Sequence, residues 1–180
     1  MFAGNIGVAQ DFEAILNSAK LLKDKNIQWI ILGDGSRSKW LKQKVVDYKL
    51  SSCFHLLGTF PIKSMPRYYY NADAMLFSLK DEEIFSLTIP SKVQSYLACG
   101  KPILAMINGE GNKLVTESKS GFCSSAGDYK KLSENILKMS SMSKEQLIEI
   151  GNNAYNYYQN NFDRKMLINK IEKILSNLIL

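Results

Sequence analysis

Apolar positions Phe12, Ile15, Leu16, Ala19 and Leu22 recur at helical spacing, and after Asn26 the run Ile27-Gln28-Trp29-Ile30-Ile31-Leu32 reads as a buried strand. Gly33-Asp34-Gly35-Ser36 breaks that strand and starts a helix with Trp40, Leu41, Val45 and Tyr48 on its face, ahead of a short strand near Cys53–Leu57. The alternation continues with a short helix around Ser64–Asn71, a strand Ala74–Ser78, a helix opening at Ser91 and a strand Ile103–Ile107. A helix from near Glu110 and a short strand around Gly121–Cys123 complete it. This pattern predicts an α/β fold, a doubly wound Rossmann-like parallel sheet, with additional C-terminal helices. Those helices carry apolar stripes at Leu132, Ile136 and Met139, at Leu147, Ile150, Ala154 and Tyr157, and at Leu167, Ile171, Ile174, Leu175 and Leu178. No linker long enough to divide two domains interrupts the pattern, so residues 1–180 read as a single domain.

The tract from Ile89 to Ala105 concentrates the chemistry. Ile89 reads as a strand exit, Ser91 as the cap of a helix that Pro90 leads into, and Gly100 as its end. A helix N-terminus beside the carboxyl end of a strand is an anion site. Lys92 falls in the first turn, where a cation is unfavourable for the helix dipole unless an anion lies nearby, so the tract suggests a phosphate pocket. A solvated surface lysine is the plain alternative. At the other end of the chain, Met1-Phe2-Ala3 reads as the close of a strand whose beginning is missing, followed by Gly4-Asn5-Ile6-Gly7. Glycines there let backbone approach a phosphate, although the spacing is not the G-x-G-x-x-G fingerprint.

Composition narrows the classes. With 180 residues and 46% hydrophobic content the chain can build one substantial core. The net charge of +6 comes mainly from lysines scattered among helices, with arginine only at Arg37, Arg67 and Arg164, which describes a solvated surface and no nucleic-acid partner. Cys53, Cys99 and Cys123 are odd in number and lack metal-like spacing, arguing against a disulfide framework or a zinc site. A reducing cytoplasm is the expected compartment. No apolar stretch approaches the ~20 residues that span a bilayer, so an encounter with the inner face of a membrane is expected to be peripheral.

Five motifs in order carry a family resemblance: Gly4-Asn5-Ile6-Gly7-Val8-Ala9-Gln10, Gly33-Asp34-Gly35-Ser36-Arg37, Ile89-Pro90-Ser91-Lys92, Tyr96-Leu97-Ala98-Cys99-Gly100-Lys101-Pro102 and Gly109-Glu110. Together they resemble the C-terminal, donor-binding domain of a group 1 (family 4) GT-B glycosyltransferase, over essentially the whole chain. The subgroup it resembles most is that of the fucosaminyltransferases of polysaccharide and O-antigen synthesis. The resemblance implies a retaining enzyme that binds a nucleoside-diphosphate sugar, UDP-linked ahead of GDP-linked, with no further cofactor and no metal. It also implies a facing N-terminal half, absent from this chain, that holds a saccharide or lipid-linked acceptor. The isolated domain is expected to be inactive.

The resemblance carries over residue by residue. The family's phosphate-binding arginine and lysine of the first loop correspond to the neutral Asn5 and Gln10, and Lys92 is the candidate replacement, with Ser91 beside it. Glu82 or Glu83 is the candidate for the glutamate near the donor sugar, and Ser95 stands where the family's ribose-binding glutamate falls. A serine hydrogen-bonds but cannot act as a charged bidentate acceptor. A second reading is therefore a non-catalytic nucleotide-sugar binding module. Gly4, Gly7, Gly33, Asp34, Gly35 and Arg37 are candidate nucleotide contacts, Thr59 and Phe60 a candidate base wall, and Gly109 and Glu110 candidate partners of sugar hydroxyls. Helix capping by Asp34 or Ser36, core packing by Phe60 and dipole stabilisation by Glu110 are the structural alternatives. His55 and Tyr68-Tyr69-Tyr70 are read as packing residues without a chemical role.

Overall fold

The computed structural model describes residues 1–178, and among them six strands alternate with nine α-helices. The strands β1 (Phe2–Ala3), β2 (Trp29–Leu32) and β3 (Phe54–Gly58) form one parallel sheet. A second is formed by β4 (Met75–Ser78), β5 (Ile103–Met106) and β6 (Gly121–Ser124). Met1 joins the two, because its carbonyl accepts the N–H of Leu76 at 2.7 Å and its nitrogen donates to the carbonyl of Ala74 at 2.7 Å. The combined order β3-β2-β1-β4-β5-β6 is the doubly wound one, whose direction of travel reverses between β1 and β4.

Helices cover both faces, which is why the strands are continuous apolar runs and do not alternate. The α1 (Phe12–Leu21), α2 (Ser38–Asp47) and α7 (Tyr129–Ser140) helices bury Ile15, Leu16, Leu41 and Ile136 against one face. The α3 (Met65–Tyr70), α5 (Ser91–Ala98), α6 (Glu110–Glu117) and α8 (Lys144–Asn161) helices cover the other, with Val93, Tyr96, Leu97, Val115 and Ala154 buried. A one-turn helix, α4 (Glu83–Ser86), stands between β4 and α5. Side-chain caps start the long helices where short polar residues allow it: Asp11 accepts from Ala14, Asp128 from Lys131, and Ser143 with Gln146 forms a capping box.

β1 and β4 part company beyond Met1. Ala3 would next reach toward β4, yet its N–H donates to the Tyr96 hydroxyl at 2.9 Å and its carbonyl accepts from that hydroxyl at 3.0 Å. One fully buried phenol therefore stands in for a strand neighbour. Farther along, Lys80 donates its N–H to Ala9 at 2.9 Å and the Ser78 hydroxyl donates to the carbonyl of Gln10, tying the exit of β4 to the first loop. The helix that carries Tyr96 is itself held from behind. Gly100 takes a positive φ of 61° and meets Gly151 of α8, where an added Cβ would stand 2.2 Å from the Gly100 carbonyl oxygen.

The structure shifts several expected boundaries. Thr88–Pro90 connects α4 to α5 and is not a strand exit, and Pro90, not Ser91, occupies the N-cap of α5; Pro90 has no side chain with which to cap, so the N–H groups of Ser91 and Lys92 are uncapped while that of Val93 turns back to the Pro90 carbonyl at 2.9 Å. Neither Asp34 nor Ser36 caps α2, whose N-cap is Arg37, because the loop before it bonds to Ile6 first. The terminal helix α9 (Arg164–Leu178) buries none of its residues, and Leu167, Ile171, Ile174, Leu175 and Leu178 lie exposed. Among the described residues no helix is long and apolar enough to cross a membrane.

Tyr96→Phe keeps the ring and removes both bonds to Ala3, leaving a buried N–H and carbonyl unpaired. It is expected to cost about 2–3 kcal/mol in urea unfolding with an unchanged m-value, whereas a loss below about 0.5 kcal/mol would show that the phenol does not hold the strand end.

Candidate functional site

Four loops converge at the carboxyl ends of the strands. The first leaves β1 as Gly4-Asn5-Ile6-Gly7 and makes a short 3₁₀ turn at Val8–Gln10. The second leaves β2 as Gly33-Asp34-Gly35 and is laced to the first, with Ile6 donating to the Asp34 carbonyl and Arg37 to that of Ile6, each at 2.9 Å. Backbone contact explains the glycines: a Cβ on Gly33 would lie 1.9 Å from the Gly4 carbonyl oxygen, and one on Gly35 would lie 2.5 Å from that of Ile6. Gly58 at the end of β3 accepts the N–H of Gly33 at 2.7 Å, which carries Thr59 and Phe60 to the same edge. Thr59 is exposed, and Phe60 packs at a tilt against Tyr68 with ring centroids 4.4 Å apart.

The fourth loop brings together candidates far apart in sequence. Asn108 after β5 donates to Asp81 at 2.8 Å and accepts from Ala126 at 3.1 Å, bridging the exits of β4 and β6. Gly109, at φ +68°, lies so close to α4 that a Cβ would stand 1.9 Å from the Ser86 carbonyl oxygen. Glu110 at the start of α6 is thereby set near α4, which opens at Glu82 and Glu83. Both Glu82 and Glu83 are exposed, while Glu110 is occupied by Lys113 at 2.6 Å.

Lys92 differs from every other cation here. Its Nζ is buried and has no hydrogen-bond partner, it stands 4.1 Å from the centroid of the Phe2 ring, and it would be 3.1 Å from a Cβ on Gly4. Phe2 belongs to the core on the opposite face of the sheet from α5, so the lysine head lies in the crevice that the parting of β1 from β4 leaves open. Gly4 supplies the room. Burial drives the pKa of Lys92 down from 10.5 to about 8. A solvated lysine has no such environment, and an unpaired buried ammonium is costly unless an anion joins it. The first-turn N–H groups of α5 point the same way electrostatically. Ser91 and Ser95, one turn apart, form an exposed stripe beside it.

Other candidates are engaged within the protein. The Gln10 side chain accepts the Gly7 N–H at 3.0 Å and closes its own turn, Arg37 stacks 4.0 Å from the Trp40 ring, and Asp34 accepts from Gly35 at 2.8 Å. Asn5 stays exposed between Gly7 and Gly35. His55 pairs with Gln28 at 2.7 Å, and Tyr69 packs edge-on against Tyr96 at 5.8 Å. Sequence reasoning missed two participants. Tyr96 stood in a motif but reads there only as an apolar helix position, and nothing local marks Asn108 as a bridge. Among the described residues no group of three or more His, Cys, Asp or Glu side chains comes together.

A doubly wound parallel sheet with covering helices on both faces is a Rossmann-like domain, and its arrangement is that of the C-terminal half of a GT-B fold. Residues 1–142 match the family model described as Glycosyl transferases group 1, and the chain belongs to that family. Among curated proteins it is 29% identical over 125 residues to the "Probable glycosyltransferase WbjE" of Pseudomonas aeruginosa, covering 67% of this chain and 30% of that one. It is 23% identical over 141 residues to the 2-deoxystreptamine N-acetyl-D-glucosaminyltransferase of Niallia circulans, covering 77% and 35%. The chain thus spans about a third of the length of these relatives. Anabaena Alr3699/HepE, solved in complex with UDP-glucose, superposes with a TM-score of 0.81 at 19% identity, over 98% of this chain and 48% of that one.

The buried lysine gives a pH signature. Below about pH 8 the ammonium is charged in both states and the folded protein bears the full cost of burying it; between about 8 and 10.5 the folded state sheds the proton first. The unfolded state then binds more protons, so stability rises with pH across that window. Unliganded protein should gain up to about 3 kcal/mol there relative to Lys92→Met, measured by urea unfolding at stepped pH. Parallel curves for the two proteins would mean that Lys92 is not desolvated.

Proposed function

We propose that this domain binds the diphosphate of a nucleotide-sugar donor, UDP-linked in preference to GDP-linked, in the crevice between β1 and β4, and serves as the donor half of a glycosyltransferase. The observation that carries this reading is the buried, unpartnered ammonium of Lys92 at the switch point. Glycosyl transfer leaves negative charge on the departing diphosphate, and a fixed cation in a site shielded from water lowers the energy of that charge most. Lys92 meets the diphosphate, the open N–H groups of α5 assist, and Asn5 lies over the first loop as a neutral donor. The ribose lies along Ser91 and Ser95, and the base lies toward Thr59 and Phe60. Glu82 or Glu83, with Gly109 and Glu110, faces the sugar. Because Lys92 supplies the charge, binding needs no metal.

The transfer proceeds with retention to a saccharide acceptor, lipid-linked in surface-polysaccharide assembly, that a facing N-terminal half holds against the anomeric carbon. The related P. aeruginosa and N. circulans proteins are named as glycosyltransferases, and the Anabaena protein was solved with UDP-glucose, which supports the donor class. A second reading, a nucleotide-sugar binding module without transfer, draws support from two features. Gln10 is spent on closing its own turn, and Ser95 cannot give a ribose the two charged acceptors of a glutamate.

Calorimetry with UDP, GDP and uridine tests the site. UDP binding should persist in chelator, and Lys92→Ala should weaken it by about 1–3 kcal/mol while changing uridine binding little. Equal losses for UDP and uridine would remove Lys92 from the phosphate contact. The chain alone should bind UDP-sugar without transferring it; fused to a facing acceptor half of this family, it should transfer radiolabelled sugar to a lipid-linked saccharide extract. Binding without transfer or donor hydrolysis in the fused form would favour the binding module.

A further inference from the structure

The run Tyr68-Tyr69-Tyr70 divides between two sides of one helix. The 3₁₀ turn Ile62–Ser64 leads without a break into α3, and on the inner side Met65, Tyr68 and Tyr69 pack toward the core, Tyr68 on Phe60 at 4.4 Å and Tyr69 on Tyr96 at 5.8 Å between ring centroids. Tyr70 is 79% exposed and so departs from the packing role expected of all three. Ile62 is 85% exposed, and Pro66 is exposed between them. Residues four apart are neighbours on a helix surface, so Ile62, Pro66 and Tyr70 form one outward apolar row.

A row of cations runs beside it. Lys63 and Arg67, each one position on from an apolar neighbour, are exposed, and Lys101 reaches in from the approach to β5, donating to the Tyr70 carbonyl at 2.7 Å with its ammonium 5.3 Å from the centroid of the Tyr70 ring. None of these three cations joins an ion pair among the described residues. No Asp or Glu occurs from Thr59 to Ala72, so the segment carries positive charge alone. The lysines of α1 and α2 differ, because Asp24 and Asp47 are interleaved with them and Lys44 pairs with Asp47 at 3.5 Å. Exposed apolar surface with a polar rim marks a contact site. Here the charge selects the partner: apolar side chains enter between lipid headgroups, a phenol rests at headgroup depth, and Lys and Arg lay their stems along apolar surface while their heads meet lipid phosphates.

We propose that the outer side of the segment Ile62–Tyr70 is a docking surface for an anionic lipid bilayer, with Ile62 and Tyr70 entering the headgroup layer and Lys63 and Arg67 on the lipid phosphates. The element is short, three residues of 3₁₀ turn and six of α-helix, so the contact is shallow and reversible. It starts beside Thr59 and Phe60 at the carboxyl ends of the strands and finishes just before the chain enters β4. It therefore runs along the flank of the sheet, and a bilayer against its outer side lies alongside the Lys92 crevice without closing it. The docking uses no residue of the donor site.

Cosedimentation with vesicles of phosphatidylcholine containing phosphatidylglycerol, set against phosphatidylcholine alone, tests the surface. The chain should sediment with the anionic vesicles only, and less as salt rises. A cation near an anionic surface contributes about fivefold to partitioning, so Lys63→Glu/Arg67→Glu should lower it by at least about tenfold. The same change in net charge on α2, Lys39→Glu/Lys42→Glu, should lower it by less than about threefold. Ile62→Ser/Tyr70→Ser should lower it by at least about fivefold. All six side chains are exposed, so urea unfolding checks that each variant is folded. No sedimentation with anionic vesicles overturns the proposal, as do equal losses from the two charge reversals, which would mean net charge alone, or full binding by Ile62→Ser/Tyr70→Ser. A chain that is dimeric in sedimentation velocity and becomes monomeric in that last variant would give the row to a second copy instead. Vesicle binding is read without nucleotide, so its failure leaves the UDP site standing, and loss of the UDP site leaves the docking intact.

Discussion

The contact between the Tyr96 hydroxyl and the backbone of Ala3 is the constraint on which the rest of the site depends. A parallel sheet propagates because each residue finds its ladder partners on the next strand, and β1 and β4 begin to do so at Met1. Were that ladder to continue, Ala3 would be paired and the crevice closed. Instead a phenol gives Ala3 both of its bonds at ordinary lengths, 2.9 and 3.0 Å, so the strands separate without leaving a buried backbone group unpaired. Splitting the sheet costs little because a side chain four residues beyond Lys92 fills the ladder. The two residues share one helix face, so the element that opens the crevice also fills it with a cation.

That cation is held at a loss in the unliganded protein. A ring at 4.1 Å offers part of the compensation, and a pKa brought down to about 8 shows that it falls short of full solvation. Nearby polar groups do not make up the difference: Gln10 is turned to its own loop, and neither Glu82 nor Glu83 reaches the ammonium. The crevice thus leaves its ammonium without a partner of its own.

The architecture was legible in the chain because both of its periodicities are strong: apolar runs for strands buried on two faces, and 3.6-residue stripes for the covering helices. The glycine punctuation at Gly4, Gly33 and Gly100 correctly marked turns, although the reason for Gly33 and Gly35 is backbone contact between two loops, which spacing alone does not reveal. Lys92 was visible as an anomaly, a cation in a helix's first turn. Its burial was not, because that depends on Phe2 and Gly4, residues about ninety positions away. Ser91 was misplaced as a cap because Pro90 occupies that position by conformation, with no side-chain group to donate or accept. Tyr96 and Asn108 stayed hidden for a common cause. Each bonds groups distant in sequence, Tyr96 the backbone of β1 and Asn108 the Asp81 carboxylate and the Ala126 N–H, and no local pattern encodes that.

The meeting of Gly100 with Gly151 gives the C-terminal third an unexpected part in aiming the lysine. α5 is eight residues long, about 12 Å from end to end, with its glycine stop at one end and Lys92 at the other. Where those glycines touch, a single methyl group would stand 2.2 Å from a carbonyl oxygen and would force the helices apart by about 1 Å to reach ordinary contact. Hydrogen-bond lengths vary by only about half that. The α8 helix therefore acts as a backstop, and α5 behaves as a short rigid rod whose far tip inherits any slack at its base. Substitutions in α8 that never approach the crevice would be read there as a change in alignment, so tolerance to mutation along this chain should follow mechanical linkage and not distance from the lysine.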